Sequence, residues 1–289
     1  MSGRATSSTV NPSTSVATTT TTASTTVTDS ATNYIAVRTV DVAGNGSATW
    51  ATIGPFKVDS IAPSAISGLF SPTHTVNAAY SSNTSVTVNW NAATDSLSGI
   101  SGYVTAWSLS AVTEPSGAIT TNTTTQSTIL SSSASGWWFH VRARDVVGNL
   151  GPTAHLGPFF VDDAGPFVGT FVINSNAIAT TSPLVSLSLS ASNAVSGLDS
   201  MRFKNDGGVF SPWQPYSGSA IWQFTAHGGA ATKGTRTVTA EIRDLAGNVS
   251  TVSDTIYYYD APITYGTACP GSLGVPNLQV TGPTASVRR

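Results

Sequence analysis

The sequence has little charge, a single cysteine and no long apolar run. Charged residues make up only 9% of the 289 residues, and the formal charge is −2. This balance excludes the strong basic field typical of nucleic-acid-binding proteins. The single cysteine, Cys269, excludes an internal disulfide, so packing must stabilise the fold. No run reaches the roughly 18 to 20 apolar residues that span a bilayer, so we expect no membrane insertion.

Sequence motifs typical of catalytic sites are also absent. The sequence contains no Gly-x-Ser-x-Gly, no His-Glu-x-x-His and no glycine-rich phosphate loop. Ser and Thr are the most frequent residues, with many Val and Gly, a composition that favours extended strands joined by tight turns. We therefore predict an all-β chain and assign no catalytic residue.

One phrase occurs three times along the chain. It reads RTVDVAGNGS at 38–47, RARDVVGNLG at 142–151 and EIRDLAGNVS at 241–250. The spacing of about 100 residues is domain-sized. Each phrase follows a segment that alternates with period two and precedes a second extended segment. Each Asp-x-x-Gly-Asn is therefore predicted to be the tip of an antiparallel hairpin.

The repeated corner is explained by turn chemistry rather than catalysis. The aspartate carboxylate caps the turn backbone, while Gly and Asn accept positive φ. The structural turn residues are Asp41, Gly44, Asn45, Asp145, Gly148, Asn149, Asp244, Gly247 and Asn248. The faces expected to be buried before the turns are Ile35, Val37 and Thr39; Phe139, Val141 and Ala143; and Val238, Ala240 and Ile242.

Short linkers that end in Pro63, Pro166 and Pro262 divide the chain into four expected segments. The first segment is too short for a whole module, and we expect it to be truncated. The segments are a partial β-sandwich module holding only C-terminal strands at 1–60, a complete module at 61–162, another at 163–261, and a tail or the start of a further truncated module at 262–289.

The two central segments carry a family resemblance. NTSVTVNWNAATD places Val86, Val88 and Trp90 on one strand face, and GWWFHVRARD forms the penultimate strand. These features resemble fibronectin type III modules, with Trp137 at the corner that such families usually fill with tyrosine. The next segment, with TTSPLVSLSLSASNAVSGL and GTRTVTAEIRDLAGNVS, resembles an immunoglobulin-like family of large bacterial surface proteins. The resemblance implies tandem immunoglobulin-like β-sandwiches but no particular ligand.

This resemblance implies a non-catalytic structural or adhesive spacer of a large secreted or cell-surface bacterial protein. We expect an extracellular or cell-surface location, with the export signal outside this segment. The expected partners are neighbouring modules of the same polypeptide, and a glycan or a surface protein is a further candidate. Two alternatives stay open: a carbohydrate-binding module of a secreted enzyme, and a metal-assisted hydrolase near His140 and His155.

Acidic residues gather at the predicted linkers and in one loop, but they are sparse. They are Asp59, Asp95, Asp162, Asp163 and Asp260. Calcium takes six to eight oxygen ligands, whereas each linker offers one or two carboxylates. We therefore favour turn capping over a calcium site. No cofactor is required in this interpretation, and calcium or zinc remains the alternative.

The outer face of the middle module offers two further candidates. If Arg144 pairs with Gly151, His140 falls opposite His155, close enough for both to bind zinc. Arginines flank the pair and no acidic third ligand lies nearby in sequence, so we favour an exposed pair without metal. Trp138 alternates onto the same face and is the best exposed aromatic for stacking on a sugar.

Overall fold

A computed structural model describes residues 2–5, 14–16 and 24–259. These residues form 17 strands and one 3-10 turn at Ala226–Gly228, which confirms the all-β prediction. No helix among them is long and apolar enough to cross a membrane. The chain divides into two compact units, Met1–Asp163 and Ala164–Arg289. The four predicted segments stay a prediction. The last of them, which contains Cys269, lies outside the described residues, and so does Asp260 at the end of the third.

The first unit begins with a four-stranded sheet of order β2-β1-β3-β4. Its strands are β1 (Ser2–Ala5), β2 (Thr14–Val16), β3 (Ser30–Val37) and β4 (Ala51–Val58). The buried face predicted for β3 is wrong: Ala36 is fully buried and Val37 is 47% exposed. Register shifts lie on both sides of Asn33, and the two buried residues of the strand, Asn33 and Ala36, are three residues apart instead of two or four.

The rest of the first unit contains one sheet of order β5-β7 and another of order β6-β8-β9. The strands are β5 (Ser85–Asn89), β6 (Ile100–Ser108), β7 (Thr125–Ile129), β8 (Ser133–Asp145) and β9 (Ala154–Val161). Val86, Val88 and Trp90 pack with Phe139 and Val141 in one core, as predicted. The split of strands between the two sheets is that of a fibronectin type III sandwich, so the resemblance is confirmed as a statement about fold.

Trp137 occupies the corner position of this sandwich. Its indole Nε1 donates to the carbonyl of Ser131 over 2.9 Å, six residues upstream. The tyrosine of an ordinary corner makes the same kind of bond to upstream backbone. Tryptophan therefore replaces tyrosine here without loss of the corner hydrogen bond.

The second unit is a larger sandwich of one three-stranded and one five-stranded sheet, β10-β12-β15 and β11-β17-β16-β13-β14. Its strands are β10 (Phe167–Ile173), β11 (Ala179–Thr180), β12 (Leu184–Ser192), β13 (Leu198–Asn205), β14 (Gln214–Pro215), β15 (Ser219–Gln223), β16 (Gly234–Asp244) and β17 (Val249–Tyr258). Val238, Ala240 and Ile242 are fully buried, as predicted. Alternate residues along the strands of both sheets thus form the core.

The predicted hairpins are confirmed. The repeated phrase joins β3 to β4, β8 to β9 and β16 to β17, and each pair is antiparallel. The glycines at the three tips, Gly44, Gly148 and Gly247, have φ of +91°, +109° and +91°. The asparagine that follows each glycine does not have positive φ. The backbone role predicted for Asn45, Asn149 and Asn248 is therefore wrong.

Candidate functional site

The repeated corner is built around a carboxylate that is buried in two of its three copies. Asp145 is 1% exposed. Its Oδ1 accepts the backbone N–H groups of Gly148 and Asn149 over 2.6 and 2.7 Å, and its Oδ2 accepts the Asn149 side-chain amide over 2.7 Å. Asp244 makes the corresponding bonds to Asn248 at 2.8 and 3.0 Å. The cap predicted for the aspartate is therefore present.

The asparagine of the corner holds the peptide that leads into its module. Asn149 Nδ2 donates to the carbonyls of Asp59 and Ile61 over 3.2 and 3.3 Å. In the second unit, Asn248 Nδ2 lies 3.4 Å from the carbonyl of Ala164. The amide thus ties the turn to the linker in both copies. The sequence analysis missed this role, because partners more than 80 residues apart leave no local pattern.

A second loop supports each buried corner from the side. In DSLSG at 95–99, Asp95 Oδ1 accepts the N–H groups of residues 97, 98 and 99 over 2.8 to 3.1 Å. In NAVSG at 193–197, Asn193 Oδ1 accepts the N–H groups of residues 195, 196 and 197 over 2.8 to 3.1 Å. Each loop begins about 50 residues before its corner. This second repeat is the sequence signal that could have found the arrangement.

The first unit brings three carboxylates together at this place. Oxygens of Asp59, Asp95 and Asp145 all lie within 4.8 Å of one another, the one such group of metal-binding side chains in the described part of the chain. The Ser98 side chain, followed by the backbone N–H groups of Ile61 and Ser98, holds the pKa of Asp59 below its ordinary value against the opposing effect of burial. The Ser98 N–H donates to Asp59 Oδ2 over 3.0 Å. Three carboxylates offer at least three of the oxygens that calcium takes.

The remaining acidic candidates lie apart from this cluster. Asp162 is fully buried, and its backbone N–H donates to the carbonyl of Ser81 over 3.0 Å. Asp163 accepts a short hydrogen bond from the hydroxyl of Ser132. A metal role for any of these residues stays a prediction, and Asp145 joins the cluster although the sequence assigned it only to the turn.

The two histidines of the middle module are cross-strand partners, as predicted. His140 on β8 lies directly opposite His155 on β9, and their Nδ1 atoms are 2.7 Å apart. The register expected at the tip is wrong by one residue, since Arg144 pairs with Leu150 instead of Gly151. His140 is also fully buried rather than exposed, and its Nε2 lies 2.9 Å from Ser108 Oγ.

The environment of His140 favours its neutral form. Burial lowers the pKa of His140, and the neighbouring His155 lowers it further, whereas the Ser110 carbonyl and Glu114 act in the opposite direction. Glu114 itself is engaged by Thr153 and, over 3.4 Å, by Arg142. The pair therefore sits in a polar network on the outer face of the β6-β8-β9 sheet. Sequence reasoning missed Ser108 and Glu114, which come from another hairpin.

Trp138 lies on that same face but is only partly exposed. Its ring packs on Gly157, where an added Cβ would come within 2.9 Å of Trp138 Cδ2. Trp138, the best exposed aromatic candidate in the sequence, is therefore partly covered by β9. Carbohydrate binding at Trp138 stays a prediction.

Comparison with known proteins gives likenesses of structure alone. No family model matches the sequence, and no curated protein matches it. The chain is similar to fibronectin(III)-like modules of CbhA from Clostridium thermocellum, with 13% identity, a TM-score of 0.35, and coverage of 70% of this chain and 99% of that one.

Two bacterial adhesins show comparable likeness. A Ca²⁺-stabilised adhesin that helps an Antarctic bacterium to bind ice has 16% identity and a TM-score of 0.37, covering 81% of this chain and 58% of that one. A 1.5-MDa bacterial ice-binding adhesin has 16% identity and a TM-score of 0.35, with coverage of 80% and 74%. The assignment of the fold rests on the sheet order and strand pairing described above.

Proposed function

We propose that this chain is a run of non-catalytic spacer modules within a larger secreted or cell-surface protein. In this role, the repeated corner fixes the peptide that enters each sandwich. The partners are then neighbouring modules of the same polypeptide, and any adhesive contact with a glycan or a surface protein is made elsewhere on the chain's surface.

The observation that carries the proposal is the bond from corner to linker. Asn149 binds Asp59 and Ile61 of one linker, and Asn248 binds Ala164 of the next. A spacer needs linkers that do not swing freely, and proline at the end of each linker already restricts its backbone. A hydrogen-bonded amide on the following module removes freedom that proline alone leaves.

The first corner supplies a matched control. Asn45 donates to Asp41 Oδ2 over 2.8 Å, as its counterparts do to their aspartates, and no linker contact of Asn45 is found in the described residues. Asn45→Ala therefore removes the bond within the turn, whereas Asn149→Ala removes that bond together with the linker bonds.

Hydrogen exchange across residues 59–63 tests the proposal. Losing a hydrogen bond worth about 1 to 1.5 kcal/mol corresponds to roughly tenfold faster exchange by local opening. We expect this acceleration in Asn149→Ala and not in Asn45→Ala. Unchanged exchange of the linker in Asn149→Ala, with the sandwich intact, would overturn the proposal.

A further inference from the structure

The contact between His140 and His155 holds a single hydrogen. Their Nδ1 atoms are 2.7 Å apart, with the rings at 74° to each other. A neutral imidazole carries one N–H, and two N–H groups cannot point at each other over this distance. One Nδ1 therefore donates and the other accepts.

Ser108 decides which ring accepts. Its hydroxyl donates to the carbonyl of Ser110 over 3.0 Å, and the Thr113 hydroxyl, 2.7 Å away, then donates to Ser108. Toward His140 Nε2, 2.9 Å away, Ser108 then acts as an acceptor and Nε2 carries the hydrogen. We assign the lone pair of His140 to Nδ1, where it faces His155. A partner that fixes the tautomer from the far side of the ring is typical of histidines that bind metal.

We propose that His140 and His155 bind a transition-metal dication such as Zn²⁺ through their two Nδ1 atoms. The metal takes the place of the shared hydrogen: His155 loses the proton on Nδ1 and takes one from solvent on Nε2, so both rings bind as neutral imidazoles and no net proton is released. Zinc–nitrogen distances of about 2.0 to 2.1 Å in tetrahedral geometry place two nitrogens about 3.3 Å apart, so the rings separate by about 0.6 Å.

The ligand set defines the class of ion. Two imidazole nitrogens suit zinc, copper or nickel, whereas calcium and magnesium require oxygen ligands. Glu114 is the nearby carboxylate and already accepts from Thr153 and Arg142, so water completes the coordination. The negative charge of Glu114 favours a cation at the pair without displacing those partners.

Calorimetric titration of the full chain with ZnCl₂ tests the site. His155→Gln is the main variant, because His155 is partly exposed and its replacement leaves the buried His140 in place. His227→Gln is the matched control, since His227 stacks on Trp222 in the other unit. The parent and both variants all carry Cys269→Ser, because a free thiolate also binds zinc.

We expect one zinc ion per chain, with affinity at least about tenfold weaker in His155→Gln and unchanged in His227→Gln. Imidazole ¹⁵N resonances of His140 and His155 should shift with Zn²⁺ and not with Mg²⁺. Equal zinc affinity in the parent and His155→Gln would overturn the proposal, as would unshifted resonances at saturating zinc. Unshifted resonances are the result expected if His140 and His155 only share a hydrogen and bind no metal.

Discussion

The corners at Asp145 and at Asp244 use the same atoms but differ by one charge in the loop beside them. Asp95 in the first unit and Asn193 in the second each accept three backbone N–H groups with a single oxygen. The loop therefore requires one acceptor at this position and not a negative charge. What differs is the second polar atom of the side chain.

In the second unit that atom completes the network. Asn193 Nδ2 lies 3.2 Å from Asp244 Oδ2 and 3.3 Å from the carbonyl of Ala164. In the first unit, Asp95 presents another carboxylate oxygen to Asp145 and Asp59. An amide donor is thus replaced by like charge, and the two corners should respond differently to substitution.

The largest effect is expected from removing the buried carboxylates. Asp145→Ala leaves three donors without their partner, and Asp244→Ala leaves a similar set, so each should lower the free energy of unfolding of its unit by about 3 kcal/mol. Hydrogen exchange in β8 and β16 measures the two units separately. Asp41→Ala, at an exposed corner, should cost much less. An equal cost at Asp41 and Asp145 would show that burial of the carboxylate is unimportant.

Exchanging the two loop residues should give effects of opposite sign. Asp95→Asn removes like charge and should stabilise the first unit by about 1 kcal/mol at low ionic strength. Asn193→Asp loses a donor, adds charge beside Asp244, and should destabilise the second unit by about as much. Urea unfolding in low and high salt measures both, and salt should shrink the effect of Asp95→Asn.

The same exchange shows whether the three carboxylates act as ligands. If they bind calcium, added CaCl₂ stabilises the parent more than Asp95→Asn, so that the parent becomes the more stable of the two. If the order in CaCl₂ matches that in an equal ionic strength of NaCl, Asp95 contributes repulsion alone.

Acid should produce the smallest difference. Ser200 and Arg243 lower the pKa of Asp199 in the second unit, and the Arg243–Asp199 pair is 2.8 Å apart and about one-third exposed. Its contribution of about 0.5 kcal/mol is present above the unfolded pKa and lost as pH falls through the lower folded pKa. Asp199→Asn should therefore flatten the stability of the second unit below about pH 4. A pH profile with the parent's slope would contradict this.

Features fixed by local chemistry were predictable from the sequence. The antiparallel hairpin and the glycines with positive φ at the tips follow from the turn residues. The His140–His155 pair was predicted, although the register expected at the tip was wrong by one residue. The buried face of β3 was predicted wrongly, because an alternating pattern indicates which residues share a face but does not determine which face is covered. Burial of His140 and the bonds of Asn149 depend on segments distant in sequence, which periodicity cannot locate.

The amide that grips Asp59 and Ile61 also decides where one module can be separated from another. If the first unit's sandwich is expressed from just after its linker, Asn149 loses its backbone acceptors at Asp59 and Ile61, although all strands of the sandwich are retained. A domain boundary placed upstream of Asp59, or upstream of Ala164 in the second unit, therefore keeps the acceptors of the corner asparagine with its sandwich.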